Sequence, residues 1–240
     1  MARRIIICVS VAVVFLSAVL TVCPSALARL PQKPISPRTE TAFLDDWNRL
    51  EALDVNANHR TFIVIDISRQ QLYLFKDDKL ADTWPVSTAR RGAGEREGSL
   101  KTPLGVFEIV QKIGAGLPEF AVLNRHGPTG GVALPIFSSN DPDASHVIVA
   151  RIIALQGLEP GWNEGGDVDT FTRHIYIHGT ADVGQLGTAV SEGCIQMAPG
   201  AVIQLFHTVH PGTLVLITRG NKSLNKIPGE VIATASNPVG

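Results

Sequence analysis

Short apolar runs broken by turn residues dominate the sequence and limit the folds open to it. Residues 61–67 and 71–75 are rich in β-branched and aromatic side chains, and the polar segment 68–70 separates them. Runs of this length, bounded by turn residues, are typical of strands joined in hairpins. The chain also contains 22 glycines and 15 prolines and no long run of helix formers. These features predict a mostly β domain.

The same pattern continues to the end of the domain. It predicts further strands at 84–88, 105–111, 132–137, 146–153, 174–178 and 213–218. Apolar residues at helical spacing predict short helices at 41–53 and 201–209. Between two strands, segment 89–105 combines glycines with charged residues and is typical of an exposed loop. The pattern predicts a mostly β fold with one or two short helices.

The charge balance argues against a nucleic-acid partner. The chain has 21 Lys and Arg against 22 Asp and Glu, a formal net charge of −1. A protein that binds nucleic acid normally presents a basic face. At 240 residues, the chain is long enough for one domain with a short appendage.

The first residues predict export. Arg3 and Arg4 precede an apolar run at 5–22, and Ala-Leu-Ala follows at 26–28. This order matches the charged, apolar and cleavage regions of a secretory signal peptide. We therefore expect a signal peptide at 1–28 and secretion of the mature protein. An uncleaved anchor is the alternative, because the apolar run just reaches membrane-spanning length.

The rest of the chain divides into three parts. Residues 29–58 combine a proline-containing linker with the short N-terminal helix, 59–218 form the main folded domain, and 219–240 form a polar tail. Cleavage after Ala28 would remove Cys8 and Cys23 and leave Cys194 as the only thiol. A lone thiol in an oxidising compartment needs a chemical reason or deep burial.

A histidine near the end of a predicted strand gives that thiol a candidate partner. His174 and His178 share one face of strand 174–178, and His178 precedes Gly179, which is expected to end the strand and leave the imidazole at the rim. Gly193 would allow a tight turn that directs the Cys194 sulfur outward. A histidine beside a cysteine serves as the base that activates the thiol, and backbone N–H groups at Gly193 and Cys194 would stabilise an oxyanion.

Other interpretations of these residues stay open. A strand-end histidine is often structural, and a buried cysteine often packs as a small apolar residue. Metal binding by His174 and His178, with His207 and His210 downstream, is disfavoured because zinc sites use thiolates or a compact histidine cluster. No metal and no cofactor is expected, because thiol, imidazole and backbone donors suffice for acyl transfer.

Several segments resemble the catalytic domain of the L,D-transpeptidase (YkuD-type) family. "IHGT" at 177–180 followed by "SEGCIQM" at 191–197 resembles the family's active-site signature. The resemblance extends to the opening hairpin, the next strand and the Thr-Pro-x-Gly segment, in "IVIDISRQQLYLF", "PVSTA" and "KTPLGVFEI". It covers about 61–218 and implies that 59–218 is a catalytic domain with a YkuD-like β-sandwich or barrel fold. The stretch "ARIIALQGLEPGWNEGGDVDTFTRHIYIHGT" also resembles a Gram-negative branch of the family, which implies secretion across an inner membrane into the periplasm.

The resemblance assigns roles to individual residues. It makes Cys194 the nucleophile, His178 its base and Gly179 the source of the carbonyl that orients the imidazole. Ser191 and Gly193 shape the turn. Arg151 is a further candidate, expected to contact substrate carboxylates.

Two positions depart from the family pattern. Glu192 replaces the usual histidine, and Gln196 stands where arginine or asparagine is frequent. The Glu192 carboxylate, two residues from the sulfur, would raise the thiol pKa by like-charge repulsion, hold an acceptor amine, or remain a solvated loop charge.

The implied substrate is peptidoglycan. An enzyme of this family attacks the L-centre carbonyl of diaminopimelate in a tetrapeptide stem, releases D-alanine and holds the stem as a thioester. An amine of another stem then gives a 3–3 cross-link, water gives L,D-carboxypeptidase activity, and a lipoprotein lysine gives anchoring to the wall. The family also implies a carbapenem target.

Three alternatives to this function differ in what they require. A catalytically silent peptidoglycan-binding protein would keep the fold without the chemistry. A sortase-type acyltransferase is disfavoured because the nearest downstream arginine is Arg219. A papain-like peptidase is disfavoured because its cysteine precedes its histidine.

Overall fold

The computed structural model describes residues 61–77, 79–137 and 147–219. All of them belong to the second of the two units into which the chain divides, 1–33 and 34–240. The predicted signal peptide, the segment 29–58 with its helix, and the tail from 220 lie outside the described residues. No helix within the described ranges is long and apolar enough to cross a membrane.

Strands are the main regular element of the described chain, so the mostly β fold class is confirmed. One α-helix, α1 (Pro199–Thr208), accompanies them in the described ranges. The strands are β1 (Thr61–Asp66), β2 (Gln71–Lys76), β3 (Lys79–Ser87), β4 (Gly105–Ile113), β5 (Ala121–Asn124), β6 (Gly127–Val132), β7 (Ile148–Gly157), β8 (Tyr176–Thr180), β9 (Ile195–Met197) and β10 (Leu214–Thr218).

Strand pairing closes eight of these strands into a ring. The order is β4-β10-β1-β2-β3-β9-β8-β7, and β7 pairs back with β4. The hairpin β5–β6 is attached to β7 outside the ring. Within the ring, β1–β10 and β8–β9 are parallel. Because the ring closes, its backbone hydrogen bonds are satisfied by neighbouring strands on both sides.

The main core lies on one face of these strands and is completed by α1. Alternate residues of the strands, such as Ile63 and Ile65 of β1, point into it. The helix adds Val202, Leu205 and Phe206. Leu205 has no exposed surface, so its truncation to alanine would cost about 2–5 kcal/mol.

A smaller apolar cluster occupies the opposite face of β7 and β8. It consists of Leu123, Ile152, Ala154 and Tyr176, and Cys194 packs against it. Ile175 and Ile177 belong to the main core instead. The period-two alternation of β8 therefore places Tyr176, and with it His178, on the face that carries the cysteine.

The predicted strand at 132–137 is wrong. Strand β6 ends at Val132, and the apolar residues around it are exposed: Val132 by 72 %, Leu134 by 81 % and Phe137 by 75 %. The sequence pattern also missed β5 and the three-residue β9. A second correction concerns β8, which continues through Gly179 to Thr180, so His178 lies within the strand and only 3 % exposed, not at its rim.

Candidate active site

The parallel pairing of β8 with β9 brings the histidine and the cysteine to one face of the sheet. Ile177 pairs with Ile195 and His178 pairs with Gln196, so Cys194 lies beside Tyr176. His178 is two residues further along the same face. Strand spacing and rise place the Cα atoms of His178 and Cys194 about 8 Å apart, within reach of their side chains.

The turn before the sulfur depends on a serine and a glycine. The Ser191 hydroxyl donates to the Cys194 carbonyl (2.6 Å) and accepts from the Gly193 N–H (3.3 Å). Gly193 has φ of 132°, a conformation that residues with a Cβ rarely adopt. A Cβ there would also lie 3.2 Å from the Ile175 Cδ1 atom. The turn expected from the glycine is present, and Ser191 closes it.

A threonine that sequence reasoning did not select holds the same turn from the opposite side. Thr102 has no exposed surface. Its hydroxyl donates to the Gly193 carbonyl (3.0 Å) and accepts from the Ala89 N–H (3.0 Å). Thr102 is part of the "KTPLG" segment, so the family motif was the signal that could have identified it.

The thiol makes two hydrogen bonds, both to backbone atoms of the segment leading into β8. The Tyr176 N–H donates to the sulfur (3.4 Å), and the thiol donates to the His174 carbonyl (3.4 Å). Within the described residues the imidazole of His178 is not among the sulfur's hydrogen-bond partners. The two side chains share a face without a direct bond, so rotation of the thiol is needed to bring its proton to the imidazole.

The imidazole is fixed by the residue that follows it. His178 Nδ1 lies 2.9 Å from the Gly179 carbonyl oxygen, and because a carbonyl only accepts, Nδ1 carries the proton and Nε2 has the lone pair. A Cβ on Gly179 would lie 2.5 Å from the Val149 carbonyl oxygen. Glycine is therefore required by the close approach of β8 to β7.

Burial sets the protonation state of both groups. It lowers the pKa of His178 from 6.5 to about 4, although the hydrogen bond to the Gly179 carbonyl acts in the opposite direction. It raises the pKa of the Cys194 thiol from 9.0 to about 11, against the opposing effects of the Tyr176 N–H and the Arg173 charge. At neutral pH the pair consists of a neutral imidazole and a thiol.

Arg173 connects the long loop between β3 and β4 to the site. Its guanidinium donates to the carbonyls of Glu95, Lys101 (2.8 Å) and Gly94 (3.4 Å). Its charge is also the one that lowers the thiol pKa. These bonds turn the Arg173 guanidinium toward backbone carbonyls of the loop.

Arg151 is not brought to the site. The residue is 3 % exposed, and its guanidinium donates to the carbonyls of Leu117 (2.9 Å) and Ala150 (2.8 Å). It also lies 5.4 Å from the centre of the Phe206 ring. The expectation that Arg151 contacts substrate carboxylates is corrected, because the residue is buried and its Nη1 group donates to two backbone carbonyls.

The two unusual positions of the signature have different surroundings. Gln196 is 3 % exposed and pairs with His178 across the strands. Glu192 is exposed and lines a pocket of about 330 Å³ together with Arg90, Arg91, Leu100 and Ser191. Of the three roles left open for Glu192, repulsion of the thiolate is not among the causes of the raised thiol pKa, of which burial is the largest. Across the described ranges no group of three or more metal-ligating side chains occurs.

The cysteine and the histidine that share one sheet face of this closed β domain form a candidate catalytic pair. Comparison with known families identifies the family to which the domain belongs. The model of the YkuD family, described as the L,D-transpeptidase catalytic domain, matches residues 60–217. The chain therefore belongs to the YkuD L,D-transpeptidase family.

Two Bacillus subtilis relatives agree with that assignment. The Bacillus subtilis (strain 168) protein named "Putative L,D-transpeptidase YqjB" is 47 % identical over 167 residues, which cover 69 % of this chain and 76 % of the relative. "Putative L,D-transpeptidase YkuD" of the same organism is 30 % identical over 118 residues, 47 % of this chain and 66 % of the relative. Among solved structures, an L,D-transpeptidase from Mycobacterium smegmatis is 20 % identical with a TM-score of 0.41; the match covers 66 % of this chain and 58 % of that chain.

Proposed function

We propose that this protein is a periplasmic peptidoglycan L,D-transpeptidase with Cys194 as its nucleophile. The observation that carries the proposal is the shared sheet face of His178 and Cys194, with the imidazole held by the Gly179 carbonyl so that Nε2 is free to accept a proton. Membership of the family supports the substrate class, which is peptidoglycan stem peptides.

The first half of the reaction forms a thioester. The Cys194 sulfur attacks the L-centre carbonyl of diaminopimelate in a tetrapeptide stem, and His178 takes the thiol proton. The Cys194 N–H stabilises the oxyanion, because the Gly193 N–H already donates to the Ser191 hydroxyl. The amide bond to D-alanine then breaks, and His178 returns the proton to the departing amine.

The second half releases the stem. The side-chain amine of a second stem attacks the thioester, an amide forms and the thiol is regenerated, which gives a 3–3 cross-link. Water in place of the amine gives carboxypeptidase activity, and a lipoprotein lysine gives anchoring. The neutral imidazole is already in the form that accepts a proton, because the pKa of His178 is lowered to about 4.

Mass spectrometry tests the nucleophile. Purified protein incubated with a carbapenem is expected to gain one covalent adduct on Cys194, and Cys194→Ala is expected to gain none. Incubation with a disaccharide-tetrapeptide then identifies the acceptor. Cross-linked dimers indicate transpeptidation, and trimmed monomers indicate hydrolysis.

A catalytically silent stem-binding protein is the second candidate. One observation favours it, namely that the thiol donates to the His174 carbonyl and not to the imidazole. This candidate predicts that the folded protein binds stem peptides, forms no carbapenem adduct and leaves the tetrapeptide intact. Either a Cys194 adduct or released D-alanine would exclude it.

A further inference from the structure

The pocket beside the nucleophile turn has a composition that the reaction described above does not use. Its volume of about 330 Å³ is in the range of small-molecule sites. Arg90 and Arg91 supply two guanidinium groups, Glu192 supplies a carboxylate, and Leu100 supplies an aliphatic wall. Neither arginine side chain has a hydrogen-bond or ion-pair partner among the described residues.

Backbone bonds hold the pocket against the turn that carries the sulfur. The Arg90 N–H donates to the Ser191 carbonyl (3.0 Å), and the Ser191 N–H donates to the Thr88 carbonyl (2.9 Å). Ser191 precedes Cys194 by three residues, so their Cα atoms lie at most about 10 Å apart. A ligand bound to Cys194 can therefore extend into the pocket.

The charges of the pocket select a particular kind of group. Guanidinium groups bind carboxylates through paired hydrogen bonds, and a carboxylate binds an ammonium group. A phosphate dianion would meet repulsion from Glu192. Two positive groups and one negative group around an aliphatic wall match the zwitterionic head of an amino acid on an alkyl chain.

We propose that this pocket binds the side-chain end of diaminopimelate in the donor stem. The inference rests on the proposed function and adds the residues that recognise the donor. Three methylene groups place the ammonium- and carboxylate-bearing carbon about 6 Å from the carbonyl that the sulfur attacks. Arg90 and Arg91 bind its carboxylate, Glu192 binds its ammonium group, and Leu100 packs on the methylenes.

Two donor stems separate the contributions of the charges. One tetrapeptide carries free diaminopimelate, and the other carries an amide in place of the side-chain carboxylate. Release of D-alanine gives kcat and KM for each. The KM of the wild type is expected to be about tenfold lower for the stem with the free carboxylate than for the amidated stem. This is the effect of one charge-assisted contact.

Three variants test the assignment. The double variant Arg90→Gln/Arg91→Gln is expected to lose the tenfold preference, because its KM for the stem with the free carboxylate rises. Glu192→Gln is expected to raise KM for both stems, because both keep the ammonium group. Arg96→Gln is the control: this arginine belongs to the same loop but is exposed and paired with Asp167 (3.7 Å), and its removal is expected to preserve the preference.

The carbapenem adduct separates failure of the inference from failure of the proposed function. A wild type that forms no adduct and releases no D-alanine refutes the function itself. A double arginine variant that forms the adduct and still prefers the free carboxylate tenfold refutes the pocket. A change in kcat alone, with KM constant for both stems, also refutes it.

Discussion

Replacing His178 by glutamine should reduce the loss in the free energy of unfolding that the protein shows as the pH falls below 7. Burial holds the pKa of this imidazole at about 4, against 6.5 for an ordinary histidine. Between these values the unfolded chain binds a proton at this position and the folded chain does not. Acid therefore favours unfolding, and His178→Gln removes this contribution.

The size of the effect follows from the two pKa values. The full difference between the two pKa values corresponds to about 3 kcal/mol in the free energy of unfolding. About 2 kcal/mol of this is lost between pH 7 and pH 5. Above pH 7 the imidazole is neutral in both states and contributes no pH dependence. The free energy of unfolding of the wild type should thus fall by about 2 kcal/mol more than that of the variant between pH 7 and pH 5.

Urea unfolding at several pH values from 7 to 4.5 measures this difference. Comparison of each protein with itself at pH 7 cancels any constant loss caused by the substitution. His210→Gln, which removes an exposed imidazole, controls for the loss of a histidine as such. If the wild type and His178→Gln lose stability in parallel, burial does not hold His178 neutral and the reasoning is refuted.

Three further predictions concern the nucleophile and the backbone around it. The rate of iodoacetamide alkylation of Cys194 should rise with pH until about 11, because burial raises the pKa of this thiol; a plateau near 9 would contradict this. By urea unfolding, Gly179→Ala should cost about 1–3 kcal/mol, since its Cβ would lie 2.5 Å from a backbone carbonyl, whereas Gly131→Ala, with its nearest atom at 3.4 Å, should cost less. Thr102→Val should slow carbapenem acylation while Thr102→Ser retains it, because only serine keeps the hydroxyl bridge of the nucleophile turn; equal rates in both would refute this role.

Residues of the candidate site differ in how far the sequence could define them. The glycine-cysteine turn and the histidine-glycine pair are local features, and their motifs selected His178, Gly179, Ser191 and Cys194 directly. The hydrogen bond from His178 to Gly179 joins adjacent residues, so it too depends little on the rest of the chain. Local chemistry of this kind is visible in a motif.

Arg151 and Glu192 show where local reasoning failed. An arginine near a strand end is usually solvated, but Arg151 follows the β7 residue Ala150, which has φ of 64°, and its side chain is buried among backbone carbonyls. For Glu192 the sequence left three roles open, and it could not show that this residue lines a pocket with arginines about a hundred positions earlier in the chain. The partners of both side chains come from distant segments.

The sequence by itself determined the mostly β character, most of the strands and the candidate nucleophile, because alternation, turn residues and motifs act over a few positions. Only the tertiary structure decided that β8 and β9 lie side by side, that Thr102 holds the turn, and that the apolar residues near 134 are exposed. Parallel neighbours in a closed ring are set by long-range packing, and burial, which fixes the pKa values of His178 and Cys194, exists only once that packing is complete.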